Sequence, residues 1–161
     1  MRRLTLDDAD LMLAIWNDPT FVCYVGDRGV RTLAEAREKM TEGAFKLYED
    51  YGFGPYRVAL KGDDTAVGTC GLFRRDGLED ADIGYGFLPE FCRRGYAFES
   101  ARAVLEHARK DIGLRRIIAI VSPKNTASIG LTEKLGLQYE KTTKLPGEDH
   151  DVSLYSMSLE E

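Results

Sequence analysis

The chain of 161 residues is acidic, because its 22 lysines and arginines are outnumbered by 27 aspartates and glutamates and leave a net charge of -5. This balance argues against an extended nucleic-acid-binding surface, and no apolar run approaches the roughly 18 residues that cross a bilayer. With 43% apolar and 30% charged residues, we predict a soluble protein with one domain over residues 1–161 and without nucleic-acid or membrane partners.

The first third of the chain predicts one short strand followed by helices. Two capping boxes, Thr5-x-x-Asp8 and Thr32-x-x-Glu35, mark the starts of the two longer helices. The predicted elements are a strand at residues 3–6, a helix to about residue 17, a loop or short helix at 19–29 and a surface helix from about 33 to 51.

The middle of the chain predicts strands that alternate with turns. The strands lie at about residues 56–60, 67–74 and 82–88. Because turn-forming residues at 61–64 and the Asp76-Gly77 pair separate them, the three strands should form an antiparallel meander.

Residues 81–137 are the most informative part of the chain. The strand that ends before Pro89 is followed by an Arg/Gly turn and a long amphipathic helix that Gly113 ends. A β-prone segment follows at 116–121, and a strand, helix and strand of this length predict a parallel, right-handed unit.

The Arg/Gly turn, Cys92-Arg93-Arg94-Gly95-Tyr96-Ala97, has the features of an anion site. Small residues at positions 95 and 97 let a ligand approach the backbone. The first turn of the helix leaves N–H groups unpaired, and its dipole favours negative charge. The ligand that this turn predicts is a diphosphate group.

The last part of the chain predicts a short helix and two strands. Asn125 begins the helix, which ends at Leu135-Gly136, and the strands lie at about residues 138–144 and 152–159, on either side of a loop at 146–149. The whole pattern predicts an α/β (α+β) fold, with a mixed sheet of about seven strands and helices on both faces. The Gly84-x-Gly86 pair lies inside a strand and is therefore not a dinucleotide-binding fingerprint.

The thiols and the first residues indicate the compartment. Cys23, Cys70 and Cys92 are odd in number, widely spaced and without a CxxC pair, which is typical of reduced thiols and not of a disulfide framework or a zinc site. No long apolar segment of the secretory type follows the first residues. We therefore predict a cytoplasmic protein that holds no metal.

Three segments, in this order, resemble the GNAT superfamily of N-acetyltransferases, in the branch similar to the ribosomal-protein N-terminal acetyltransferases. Residues 92–97 resemble the acetyl-CoA motif (Q/R)-x-x-G-x-(G/A), and Glu99 follows as in that branch. Residues 125–136 resemble the signature N-x-x-S-x-x-x-x-x-K-x-G, and the strand at 82–85 resembles (E/D)-I-G-Y. The resemblance covers nearly the whole chain and implies the GNAT acyl-CoA N-acyltransferase fold with a splayed pair of parallel strands.

The resemblance also implies acetyl-CoA as the acetyl donor. Backbone amides of residues 93–97 would bind its pyrophosphate, the strand end at 87–88 would diverge from the strand at 117–121 to admit pantetheine, and Asn125 would hydrogen-bond the pantetheine arm. The implied cofactor-binding residues are Phe87, Leu88, Arg93, Arg94, Gly95, Tyr96, Ala97, Asn125 and Ser128.

For catalysis, the resemblance places the Ser128 hydroxyl near the thioester sulfur. Ser128 or water would protonate the leaving thiolate, because Thr132 stands where many members have a tyrosine. Cys92 stands where many have Gln or Arg, which is harmless if the backbone binds the cofactor. The candidate general bases are Asp82, Glu148, Asp149 and His150, and the predicted catalytic residues are Ser128, Asp82 and Glu148.

A neutral amine can attack acetyl-CoA directly in a ternary complex. An α-amino group with a pKa of about 8 is partly neutral already, whereas neutralising a lysine amine at pH 7 costs roughly 5 kcal/mol. We therefore expect a protein or peptide N-terminus as the acceptor. The alternatives are a small amine, such as a polyamine, an amino sugar or an amino acid, and a non-catalytic CoA-binding module.

Residues 5–51 and the loop at 146–150 should border the acceptor site. Within them Trp16, Tyr24 and Phe45 either pack in the core or line the acceptor pocket. A homodimer is compatible with the resemblance, although no surface stripe in the sequence requires one.

Overall fold

The computed structural model describes residues 1–160 and contains one seven-stranded sheet. Its strands are β1 (Arg2–Arg3), β2 (Pro55–Ala59), β3 (Ala66–Phe73), β4 (Asp82–Phe87), β5 (Arg116–Val121), β6 (Gln138–Thr143) and β7 (Val152–Ser158). They lie in the order β1-β2-β3-β4-β5-β7-β6. Neighbouring strands are antiparallel except β4 and β5, which are parallel. The predicted mixed sheet, with its meander and its one parallel crossover, is confirmed.

Helices flank this sheet. They are α1 (Ala9–Asn17), α2 (Pro19–Tyr24), α3 (Leu33–Met40), α4 (Lys46–Tyr51), α5 (Tyr96–His107) and α6 (Thr126–Lys134). A turn of π-helix, Thr41–Phe45, joins α3 to α4, and a second one, Ala108–Ile112, extends α5 as far as Gly113. Within residues 1–160, none of the helices combines the length and the apolar character that a membrane span needs.

The first strand is shorter than predicted. The sequence favours a strand at residues 3–6, but only β1 pairs with β2. The Leu4 amide donates to the Tyr48 hydroxyl, and the Thr5 amide donates to the Asp8 carboxylate. These amides are therefore already bonded and cannot continue the ladder, so the first capping box ends the strand as it opens the helix.

Helices α1 to α3 and helix α5 pack on opposite faces of the sheet. Successive side chains of β4 alternate between these faces. Ile83 belongs to the main core under α5, whereas Gly86 faces α1, where a Cβ atom would lie 2.8 Å from Cγ2 of Ile15. The main core includes Leu72, Ile83, Ala101, Val104 and Ile117. The smaller core under α1 and α3 is formed by Leu4, Ala9, Met12, Val30, Ala36 and Met40.

Candidate active site

The parallel strands β4 and β5 diverge almost from their start. They pair only at Asp82 and Ile118, and the Ile118 amide donates to the Ala81 carbonyl at 3.1 Å. From Ile83 onward, β4 has no partner strand on that side within the described residues. A cavity of about 470 Å³ lies between residues of both strands. The predicted splay of the parallel pair is therefore confirmed.

The wall of this cavity brings together four of the predicted site residues. Asp82 comes from β4, Asn125 and Ser128 from the start of α6, and Glu148 from the loop between β6 and β7. The predicted residues outside the wall are Phe87, Leu88, Arg93, Arg94, Gly95, Tyr96 and Ala97. They lie at or beyond the C-terminal end of β4, because the chain there turns towards α5.

The turn before α5 leaves its backbone amides free. Gly95 is left-handed with a φ of 84°, and Arg93 has a φ of 62°. Within residues 1–160, the amides from Arg93 to Phe98 donate no hydrogen bond. A Cβ atom at position 95 would meet nothing within 4 Å, so the space beside the turn is open. Free amides at a helix N-terminus, next to left-handed residues, fit a diphosphate group.

The cysteine at the first position of the Arg/Gly turn makes local contacts only. Cys92 Sγ lies 3.5 Å from the Leu88 carbonyl oxygen and 3.9 Å from that of Phe87. Its side chain therefore points back along the chain and leaves the amides of the turn uncovered.

Ser128 is held in place and is paired with a tyrosine to which the sequence analysis gives no role. The Asn125 Oδ1 caps α6 by accepting a hydrogen bond from the Ser128 amide at 3.1 Å. The Ser128 Oγ lies 2.6 Å from the Tyr85 hydroxyl. Burial raises the pKa of Tyr85, so this phenol stays protonated at neutral pH. Two linked hydroxyls are thus present in the cavity wall, and a protonated hydroxyl can act as a proton donor.

Asp82 is a buried carboxylate with one unused oxygen. Only 1% of the residue's surface is exposed. The Oδ2 accepts a hydrogen bond from Arg75 Nε at 2.8 Å, whereas the Oδ1 has no partner in the described part of the chain. Burial raises the pKa of Asp82, although the charge and hydrogen bond of Arg75 act in the opposite direction. A raised pKa makes the carboxylate a better proton acceptor.

The other candidate bases are less enclosed. Glu148 lines the cavity, and its carboxylate lies 3.1 Å from Nε2 of His150. Asp149 and His150 are exposed and lie outside the cavity wall. Of the four candidates, Asp82 and Glu148 therefore remain at the site. Among residues 1–160, no group of three or more His, Cys, Asp or Glu side chains is placed to hold a metal ion.

Two arginines of the cavity wall are also missing from the sequence-based predictions. Arg28 comes from the segment before α3, and Arg75 follows β3. The Arg28 guanidinium lies 5.9 Å from the centroid of the Phe21 ring. Burial, together with the nearby charge of Arg75, lowers the pKa of Arg28. Neither arginine lies in a periodic pattern or a motif, so no sequence signal could have identified them.

The structure places the three aromatic residues that the sequence left open, and Trp16 both packs against the smaller core and lines the cavity. Trp16 and Tyr24 line the cavity, on the side of α1 and α2. Phe45 packs against the smaller core and stacks with Tyr48 at a centroid distance of 6.3 Å. The first helices therefore border the cavity, and their contact with the acceptor stays a prediction.

Comparison with known proteins gives one family. Residues 1–138 match the acetyltransferase (GNAT) domain. The uncharacterized N-acetyltransferase p20 of Bacillus licheniformis is 28% identical, and the match covers 98% of this chain and 90% of that protein. The crystal structure of a GNAT-family acetyltransferase from Bacillus anthracis aligns with a TM-score of 0.77 and 28% identity, covering 99% of this chain and 94% of that chain.

Two more distant structures share the fold. A spermidine N-acetyltransferase from Vibrio cholerae, in complex with CoA and spermine, has a TM-score of 0.80 at 18% identity, covering 98% of this chain and 94% of that chain. A ribosomal-protein-S5-alanine acetyltransferase from Vibrio fischeri has a TM-score of 0.80 at 18% identity, covering 99% and 92%. Their acceptors differ although the fold is the same, so the fold alone does not select an acceptor.

Proposed function

This chain belongs to the GNAT acetyltransferase family and is an acetyl-CoA-dependent N-acetyltransferase, and we propose that it acetylates the α-amino group of a protein or peptide N-terminus. The observation that carries this proposal is the buried Asp82 carboxylate, whose Oδ1 is unused in the cavity wall. A carboxylate of this kind suffices to deprotonate an amine with a pKa of about 8, whereas a lysine amine adds a cost of several kcal/mol at neutral pH.

Charge in the cavity supports an N-terminus over a polyamine. The acidic side chains of its wall are matched by as many basic ones: Glu42, Asp82 and Glu148 against Arg28, Lys39 and Arg75. A polyamine carries several positive charges and needs an excess of carboxylates, because like charges repel. The balanced wall suits an acceptor with a single amine. We place the chain in the branch of the ribosomal-protein N-terminal acetyltransferases on its strand at residues 82–85 and on Glu99.

The donor is proposed to lie along β4. The free amides from Arg93 to Phe98 would hold the pyrophosphate, and Asn125 would bind the pantetheine arm in the gap between β4 and β5. Acetyl-CoA supplies an activated thioester, so the protein itself needs no covalent nucleophile. The amine attacks directly once both substrates are held together.

The proposed proton transfers use the two faces of β4. Asp82 and Tyr85 are three residues apart and so point to opposite faces of the strand. Asp82 would take a proton from the amine on the side of α1 to α3. On the side of α5, Tyr85 and Ser128 would give a proton to the thiolate, which supplies the acid that Thr132 cannot. Because this acid is present, we favour an active enzyme over a non-catalytic CoA-binding module.

We also propose that the protein is cytoplasmic. The thiols of Cys23, Cys70 and Cys92 are all free, which supports a reducing compartment and hence the cytoplasm. Burial raises the pKa of the Cys70 thiol to about 12, so this one is unreactive.

The test is acceptor-dependent release of CoA thiol with a panel of amines at pH 7. We expect turnover with peptides that have a free N-terminus. A peptide with a blocked N-terminus and a free lysine should react on the order of 100-fold more slowly, in proportion to the smaller fraction of neutral amine. Turnover with polyamines alone would contradict the acceptor assignment. Tight CoA binding without any release would favour the binding module.

A further inference from the structure

Arg28 is a half-buried cation without an anionic partner. Its side chain lines the cavity, and within residues 1–160 it makes no ion pair and no hydrogen bond, its contact being the ring of Phe21. Glu148 attracts it electrostatically, but the Glu148 carboxylate makes no ion pair with Arg28 and lies 3.1 Å from Nε2 of His150. A charge that is partly removed from water without a partner costs stability. Such a residue is well suited to pair with a charge on a ligand.

Arg75 adds a second guanidinium to the same wall. Its Nε is bonded to Asp82, while its two Nη groups make no hydrogen bond within the described chain. The guanidinium lies 5.6 Å from the centroid of the Phe73 ring. Arg28 and Arg75 are close enough for their charges to influence each other. Together they offer several free N–H donors in planar forks, which match the geometry of a carboxylate.

Arg75 lies too far from the Arg/Gly turn to hold the CoA pyrophosphate, and Arg28 is close enough to Arg75 for their charges to interact. Arg75 is bonded to Asp82, the first residue of β4, whereas the turn begins only after Phe87, the last one. At about 3.3 Å per residue, the strand alone separates the two places by roughly 16 Å. We therefore assign the pair to the acceptor.

We propose that the acceptor carries a carboxylate close to its reacting amine, and that Arg28 and Arg75 bind this carboxylate. The proposal rests on the amine acetylation proposed above and names the class of amine. Because Arg75 is bonded to Asp82, the bound carboxylate lies within a few bonds of the amine from which Asp82 takes a proton. Two sources have this chemistry: an acidic side chain at the first or second residue of a peptide, and the α-carboxylate of a free amino acid.

The test compares matched acceptors. Peptides with Asp or Glu at the first or second residue are paired with peptides in which Asn or Gln replaces it, and free amino acids are paired with their amides. We expect the wild-type kcat/KM to be at least about tenfold higher for the carboxylate member of a pair. Arg28→Gln should raise KM for that member and remove the preference, while the neutral member changes little. Arg28→Lys should restore part of the preference.

A matched control is Arg37→Gln. Arg37 is an exposed arginine of α3 that does not line the cavity, so this variant removes the same charge from the surface and should keep the preference. CoA affinity, measured by calorimetry, should be unchanged in all three variants and reports that they are folded.

The outcomes separate the two proposals. Equal rates for the charged and neutral members, or an Arg28→Gln loss that is equal for both, would overturn the inference. Acetylation of free amino acids but not of peptides, with the Arg28-dependent preference, would support the inference and contradict the N-terminal acceptor. Acetylation of polyamines together with rejection of amines that bear a carboxylate would overturn both.

Discussion

The two ends of β4 offer ligands different groups. At its C-terminal end the Arg/Gly turn presents free backbone amides, whereas at its N-terminal end Asp82, Arg75 and Arg28 present side chains from three separate segments. Backbone amides can be positioned by a short local sequence, but a cluster of side chains depends on the whole fold. A group of backbone amides can therefore be recognised from a short sequence motif. A cluster of side chains from separate segments can be recognised only in the three-dimensional structure.

The largest expected effect is the loss of CoA binding at the Arg/Gly turn, the C-terminal end of β4. In Gly95→Glu, the new side chain has to adopt a left-handed backbone and places a carboxylate where the diphosphate is proposed to lie. We expect CoA affinity to fall by a factor on the order of 100 or more, measured by calorimetry. Gly113→Glu is the control, because Gly113 is also left-handed and uncrowded but lies at the other end of the same helical segment. Unchanged affinity in Gly95→Glu would refute the pyrophosphate assignment.

The next largest effect is a loss of kcat when Asp82, at the N-terminal end of β4, is replaced. Asp82→Asn keeps an oxygen for the Arg75 Nε but removes the base, so kcat should fall on the order of 100-fold with CoA affinity unchanged. Burial raises the pKa of Asp82, so ionising this side chain lowers the free energy of unfolding at pH values above the unfolded-state pKa. The melting temperature of Asp82→Asn at pH 7 should therefore not decrease. A variant that retains wild-type kcat would show that Asp82 is not the base, and Glu148→Gln would then be the next candidate.

A smaller effect concerns the paired hydroxyls of Tyr85 and Ser128, with Tyr85 lying between the two ends of β4. Tyr85→Phe and Ser128→Ala each remove one of two bonded hydroxyls, and each should lower kcat by about tenfold. If the hydroxyls act as one proton donor, the double variant should lose little more than either single variant. Tyr139→Phe is a suitable control, because its hydroxyl bonds to Thr142 on the exposed strand β6. Intact turnover across the pH range in both single variants would exclude the pair as the acid.

The smallest effect concerns a second buried carboxylate, which is fully bonded and takes no part in the site. Asp8 accepts two hydrogen bonds from Arg2, at 2.7 and 2.9 Å, and one from the Thr5 amide. Although burial alone would raise the pKa of Asp8, these hydrogen bonds lower it below its usual value. Its contribution is thus present above the unfolded-state pKa, about 3.9, and is lost as the pH falls through the lower folded-state pKa.

Asp8→Asn should therefore reduce the free energy of unfolding at pH 7 by about 1 to 2 kcal/mol and have a smaller effect near pH 2. Urea unfolding at several pH values measures this, with kcat unchanged as the control. A destabilisation that does not depend on pH would show that the ion pairs of Asp8 with Arg2 and Arg57 are not its cause.

The sequence predicted those parts of the molecule that depend on local rules. The capping box at Thr32, the left-handed Gly113 and the alternating strands were sufficient for most helices and strands. The first strand was too long in the prediction, because the bond from the Leu4 amide to the distant Tyr48 hydroxyl was not visible, and because the predicted capping box already engages the Thr5 amide. The motif around Gly95 likewise predicted a turn with free amides, and its binding of the CoA pyrophosphate stays a prediction.

The rest of the site depends on contacts between distant residues. Ser128 and Tyr85 are 43 residues apart in sequence, and their contact follows only from the placement of α6 beside the open end of β4. The alternation along β4 could have separated Tyr85 from Asp82 in advance, since it puts them on opposite faces. For Arg28, which lies in a segment without regular structure, no local rule predicts an orientation.

The single pairing of β4 with β5 leaves two sheet edges inside the molecule. Open edges on a protein surface invite other chains to add a strand, but these edges face the cavity between β4 and β5. The pantetheine arm, which is extended and carries amide groups, can occupy the gap in the manner of an added strand. Hydrogen exchange of the β4 and β5 amides should then slow when CoA binds, which makes the donor itself a structural element of the sheet.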